Sequence, residues 1–264
     1  MVFSFDIISD LHCDAKNSGI NWDGFATSPF CIVTGDVARN RQSLIKTLSR
    51  VADSYPGGVF YIDGNDEHRD YYSDVVDSYQ DLSQSLKKIN NLVYLHDNIV
   101  VIDGVAIVAV NGWWTYDFNP EVDVAATFEW FDEYANTTRM QSNNLVKLAY
   151  ADAAYLVNSV KRLQKHPSVK KIVIVSHTLP APWLASHDID LVNTFRFNCL
   201  GNQYLQLALE EDTEHKIDTW VFGHYHKPVD QVRDGIRYVS NPRGRPNTPW
   251  SQNPYYPRRI DIEI

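Results

Sequence analysis

Short apolar runs alternate with polar stretches along the chain, and many of the runs end on Asp, Asn, Gly or His. Strand-like runs are "VFSFDII" (2–8), "FCIVTGD" (30–36), "GVFYIDGND" (58–66), "VKKIVIVSHT" (169–178) and "DTWVFGHYH" (218–226). Two longer runs, 98–112 and 229–242, predict hairpins whose two-residue turns are Asp103-Gly104 and Asp234-Gly235. Helical spacing is carried by Leu44, Ile45, Leu48 and Val51 within 40–54. The same period continues through 68–90 and 198–211, and through 138–165, which stops short of Pro167. Residues 113–137 are aromatic and read as an irregular insertion, and the Pro-rich piece 242–257 reads as a surface loop. Early alternation of strands and helices followed by hairpins predicts one domain over 1–264. Its sheet is mixed, or split into two packed sheets, with helices outside.

Bulk properties narrow the function. A chain of 264 residues, 44% hydrophobic and 22% charged, buries a sizeable core. Its net charge of −9 argues against non-specific binding to nucleic acid or to an anionic membrane. Cys13, Cys31 and Cys199 are odd in number and widely spaced, the usage of reduced thiols in a cytoplasmic protein. No apolar run approaches the length of a membrane span, and the N-terminus is expected to be unprocessed.

The strand ends carry the chemistry. Five of them deliver Asp10-Leu11-His12, Gly35-Asp36, Gly64-Asn65-Asp66, Ser176-His177 and Gly223-His224-Tyr225-His226. Ligand sites in α/β proteins assemble at the C-terminal ends of strands. Asp, His and Asn suit divalent metals of borderline hardness. In an extended segment residues i and i+2 point the same way, so each Asp-x-His or His-x-His pair can reach one ion. A carboxylate such as Asp36 can bridge two ions, and a metal pair can clamp a phosphoryl group. Each motif occurs by chance on its own. Their order, each after an apolar strand, is what carries the signal.

That ordered set, Asp10-x-His12, Gly35-Asp36, Gly64-Asn65, His177 and Gly223-His224-x-His226, resembles the calcineurin-like metallophosphoesterase superfamily. "VNGWWTYDF" (110–118) and "YVSNPRG" (238–244) resemble segments of a small single-domain branch. The resemblance implies an α/β fold, a two-sheet β-sandwich flanked by helices in four αββα layers. It implies two divalent ions, Mn²⁺ first, with Fe, Zn²⁺, Mg²⁺ or Ni²⁺ as alternatives. Asp10, His12, Asp36 and His226 would hold one ion. Asp36, Asn65, His177 and His224 would hold the other. The implied reaction is hydrolysis of a phosphomonoester or phosphodiester by a hydroxide bridging the ions, on a small phosphoester or nucleotide. Nucleic acid is a less favoured substrate.

Position 66 departs from the pattern. The family usually has His after Gly-Asn, acting as general acid, followed by a carboxylate that orients it. Here "GNDEH" has Asp66 in that place, and Glu67 matches the orienting carboxylate. An Asp is an anion at neutral pH, so Asp66 would repel a phosphate dianion more than a diester. Four accounts are open. Metals alone sustain hydrolysis, His68 supplies the proton, the position carries an introduced His→Asp change, or the protein is a metal-binding interaction module. Restoring His at position 66 is expected to raise phosphomonoesterase turnover. Asn65 and Arg243 are candidates to touch substrate phosphate, with a structural ion pair as the other reading of Arg243. Trp113, Trp114 and Tyr116 could cover the site or pack in the core.

Overall fold

A computed structural model of the protein describes residues 1–14, 20–69, 75–135, 142–246, 248 and 251–264, with backbone only at 75 and 76. One sheet is built from β1 (Val2–Ile8), β2 (Phe30–Thr34), β3 (Gly58–Ile62), β4 (Leu92–Tyr94) and β11 (Arg258–Glu263), in the order β11-β1-β2-β3-β4. The other holds β5 (Ile99–Ile102), β6 (Val105–Val110), β7 (Lys171–Ser176), β8 (Ile217–Phe222), β9 (Val229–Arg233) and β10 (Ile236–Ser240), in the order β5-β6-β7-β8-β10-β9. The central pairs are parallel and the edges β11, β5 and β9 are antiparallel. Both hairpins form, and their Asp-Gly turns have positive φ at both residues: 49° and 85° at 103–104, 52° and 80° at 234–235. Two successive positive φ values match the right-handed twist of the flanking strands.

The sheets pack face to face. Phe5, Ile7, Ile32 and Ile62 of the first meet Ile107, Val173, Val175 and Val221 of the second. Strands buried on both faces read as continuous apolar runs rather than alternating ones. Helices cover the outer faces. α1 (Arg41–Ser54) starts where the Asn40 side chain accepts the backbone N–H groups of Gln42 and Ser43, and it buries Leu44, Leu48 and Val51. α4 (Ser142–Gln164) buries Leu156, Val160 and Leu163 over the second sheet, and nearer its start Leu145 and Ala149 join the cluster that holds Trp113, Trp114 and Tyr116. α2 (Val75–Leu86) is shorter than the helix expected over 68–90: Asp66–His68 is a separate 3₁₀ turn, and 70–74 lie outside the described residues. Positions 138–141 of the expected long helix lie outside them as well.

Two expectations change. Residues 198–211 are not an α-helix but two 3₁₀ segments, Phe197–Cys199 and Gln203–Glu211, separated around Gly201. Gly201 is bridged to Leu179: the Leu179 N–H donates to the Leu200 carbonyl and the Asn202 N–H to the Leu179 carbonyl, so backbone groups that a helix would pair internally are used elsewhere. The aromatic stretch after β6 is well packed over its described part, 113–135. Trp113, Tyr116 and Phe118 are fully buried, and α3 (Val124–Trp130) is capped by the Asp123 side chain. Aromatic burial holds this segment where periodicity signalled little.

Candidate metal centre

The parallel strands β1, β2, β3, β7 and β8 all end on one side, and their following loops bring the five motifs together. Close approach requires the glycines. A Cβ on Gly35 would sit 2.4 Å from Gly64 N, and one on Gly64 would sit 2.4 Å from Asp36 Oδ1. The ligand residues pay in backbone conformation. Asp10, His12, Asp36, His224 and His226 all have positive φ, between 44° and 65°. Such values are uncommon outside Gly, and strained backbone of this kind clusters at functional sites.

Two ligand clusters share Asp36. Asp10, His12, Asp36 and His226 form one, and Asp36, His177 and His224 the other, each with candidate donor atoms within 4.8 Å of one another. In the first, His12 Nε2 is 3.1 Å from His226 Nε2, which is 3.2 Å from Asp10 Oδ1. In the second, His177 Nε2 lies 3.4 Å from Asp36 Oδ1 and 3.2 Å from Asn65 Oδ1. All seven expected metal ligands, Asn65 included, therefore converge.

The outer contacts of each ring select its tautomer. His177 Nδ1 donates to the Thr34 carbonyl at 2.8 Å, and His224 Nε2 to the Cys199 carbonyl at 3.1 Å. His12 Nδ1 is 3.1 Å from Asp66 Oδ2. Each contact leaves the other ring nitrogen as a lone pair facing inward, the arrangement found around metal-ligating histidines. His224 Nδ1 is buried with no hydrogen-bond partner, an orphan that a cation would satisfy. Burial and the neighbouring His177 push His224 down to about 3, so it is neutral and ligand-ready. Burial opposes the charge of Asp10, yet His226 and the neighbouring histidines hold it below the usual carboxylate range. Burial and the Asp66 charge push Asp36 up, a repulsion that cations would relieve. The donor set fits two divalent ions.

Asp66 is an ion-pair hub. Its carboxylate is 1% exposed and takes Arg69 Nε at 2.9 Å, Arg245 Nη2 at 3.0 Å and Arg39 Nε at 3.3 Å, besides His12. Burial raises its pKa, but His12, Arg69 and Arg245 outweigh that and hold it far below the ordinary range. The expected isolated anion is thus surrounded by guanidinium groups. The ion pairs hold it as a carboxylate.

Three other expectations are corrected. Glu67 accepts the backbone N–H groups of Asp36, Val37, Ala38 and Gly64 at 2.7–3.2 Å, so it ties the β2 and β3 loops together rather than orienting residue 66. His68 is buried with Nε2 on Asp63 and Nδ1 on Ser78, both at 2.8 Å, so neither nitrogen is free to give a proton to substrate. Arg243 is 3% exposed and donates to the Leu11 carbonyl, which secures the Asp10–His12 loop instead of reaching into the site.

A cavity of about 320 Å³ opens over Asp36, Asn65, His224 and His226. Trp114, Trp130 and Phe131 form one wall, and Arg69, Arg196 and Arg245 line it as well. Trp114 stacks on the His224 ring at a centroid distance of 5.5 Å. Sequence reading missed Arg39, Arg69, Arg196 and Arg245. Three of them lie within four residues of a recognised motif, but only the fold aims them at one place.

No family model and no curated protein matches this chain. Solved structures do. Phosphopantetheinyl hydrolase from Mycobacterium tuberculosis is similar at a TM-score of 0.70 and 19% identity, over 97% of this chain and 95% of that one. A dimetal phosphatase from Danio rerio is similar at 0.55 and 14%, over 90% and 86%. A putative 5′-nucleotidase from Staphylococcus aureus is similar at 0.52 and 14%, over 92% of this chain but 49% of that one. The two sheets, their helical layers and these similarities agree: the chain has the fold of the calcineurin-like metallophosphoesterases.

Proposed function

We propose that the protein is a binuclear metal-dependent hydrolase of a small phosphoester. The observation that carries this is the pair of ligand clusters joined at Asp36. The similar structures bear names of a phosphatase, a nucleotidase and a phosphopantetheinyl hydrolase, which supports phosphoester hydrolysis in general. Asp10, His12, Asp36 and His226 would hold one cation, and Asp36, Asn65, His177 and His224 the other, with Mn²⁺ the first choice. Such ions supply Lewis-acid stabilisation of a phosphoryl group and a water-derived nucleophile at neutral pH.

The chain's own residues do the rest. The Thr34 and Cys199 carbonyls and the Asp66 carboxylate keep three histidines turned inward. The arginines around Asp66 offset its charge, so a phosphate dianion need not be excluded in favour of a diester. Asp66 cannot protonate the leaving oxygen, so the reading favours esters whose leaving group needs little protonation.

Purified protein is expected to bind two equivalents of Mn²⁺ and to hydrolyse p-nitrophenyl phosphate or bis-p-nitrophenyl phosphate. Two bound ions with no turnover on either ester would favour the interaction-module reading. Cleavage of labelled single-stranded DNA or RNA with neither ester turned over would favour a nuclease.

A further inference from the structure

The arginines around the cavity outnumber the acidic groups that engage them. Arg39, Arg69 and Arg245 share the single carboxylate of Asp66. Among the described residues no second carboxylate lies within 4.0 Å of these three groups, and Arg69 Nε is buried without an aligned acceptor. Arg196, which is exposed, forms no ion pair among the described residues, although Asp188 and Asp190 line the adjoining cavity with it. Three guanidinium groups, those of Arg69, Arg196 and Arg245, line the cavity in a chain of net charge −9, and of the acidic residues of the adjoining cavity Asp188 is engaged by Lys227. The metal pair by itself can neutralise one phosphoryl group. Among the described residues, Arg196 is left without an ion-pair partner.

Position adds to the charge. Arg196 and Arg245 line both the cavity over Asp36 and an adjoining one of about 420 Å³, and His224 and His226 line both as well. The two arginines therefore border the approach to the metal histidines. A guanidinium binds a phosphate through two parallel N–H groups, and its strength rises in a partly enclosed site.

We propose that the substrate carries a second phosphoryl group beside the scissile one, and that Arg196 and Arg245 bind it. This rests on the phosphoesterase reading for the placement of the first phosphoryl group. The aromatic wall of Trp114, Trp130 and Phe131 offers a flat apolar face to whatever joins the two.

The test compares adenosine 3′,5′-bisphosphate with adenosine 5′-monophosphate on the Mn²⁺-loaded protein. Isothermal titration calorimetry gives affinity, and phosphate release gives kcat and KM. The bisphosphate is expected to bind at least about tenfold more tightly, and Arg196→Gln to shrink that ratio about tenfold, the scale of one charge-assisted contact. The change should appear in KM rather than kcat. Equal affinities in the natural protein, or the same ratio in Arg196→Gln, would overturn the proposal. Tight binding of the bisphosphate without hydrolysis of any ester would keep the anion site and discard the phosphoesterase reading. Hydrolysis with no preference would do the reverse.

Discussion

The two ligand clusters use the same residue types but are backed by different chemistry. In the cluster of Asp10, His12, Asp36 and His226, His12 leans on a carboxylate, Asp66, which is itself held by three arginines. In the cluster of Asp36, His177 and His224, both imidazoles lean on neutral backbone carbonyls, those of Thr34 and Cys199. Either acceptor fixes the tautomer of a histidine and raises its basicity, and a charged carboxylate does so more strongly than a neutral carbonyl. The first cluster also communicates with the cavity rim through Arg69 and Arg245, while the second is embedded under Trp114. The two candidate clusters thus differ: one is tied to the charged rim of the cavity and the other to the core.

The largest effect should come from the residue that the clusters share. Asp36→Ala is expected to lower kcat/KM by roughly 10²–10³-fold or more, because a preorganised electrostatic site loses its centre. Elemental analysis should show both metal equivalents weakened. Loss of only one would mean that Asp36 does not join the clusters.

Asp66 distinguishes them. Asp66→Ala should weaken metal binding at the first cluster by roughly 10–100-fold and leave the second near its natural affinity. Stepwise Mn²⁺ titration would read the two separately. Asp66→His, which sequence reasoning expects to raise phosphomonoesterase turnover, is instead expected to lower it, since the imidazole cannot gather three guanidinium groups. Higher turnover in that variant would refute the hub role.

Glu67 sits behind both clusters. Glu67→Gln would turn an NH₂ group toward backbone N–H donors that now share two oxygens. Each unsatisfied donor costs about 1–3 kcal/mol. Chemical denaturation should show that loss, with both metal affinities falling together rather than one.

The smallest effect concerns the scaffold of the second cluster. Asp152 on α4 accepts the Gly112 N–H at 2.7 Å and so steadies the turn leading to Trp114. Burial pushes its carboxyl up to about 7, above an unfolded value of about 3.9. Its contribution to stability is then complete below about pH 4 and is lost as pH rises through about 7. Melting temperatures at pH 5 and pH 8 should differ more for the natural protein than for Asp152→Asn. An identical pH response would remove Asp152 from the account.

Much of this protein is written in local signals. Apolar runs that stop on Asp, Asn or His marked the strands and the ligands at once, because buried parallel strands need no polar face and their ends need polar groups. The Asp-Gly turns were legible for the same reason: two consecutive positive φ values leave few residue choices. Residues 198–211 were misread because their helical period is real, while the backbone bridge between Leu179 and Gly201 that interrupts the helix is remote in sequence. Position 66 shows the limit most clearly. The chain itself determined that an Asp stands beside Asn65 and that it departs from the usual motif. Only the tertiary structure decided what surrounds that Asp, because Arg39, Arg245 and His12 reach it from other loops and join Arg69 of its own loop. A carboxylate's charge, proton and role depend on the groups packed around it, and no spacing along the chain encodes those distances.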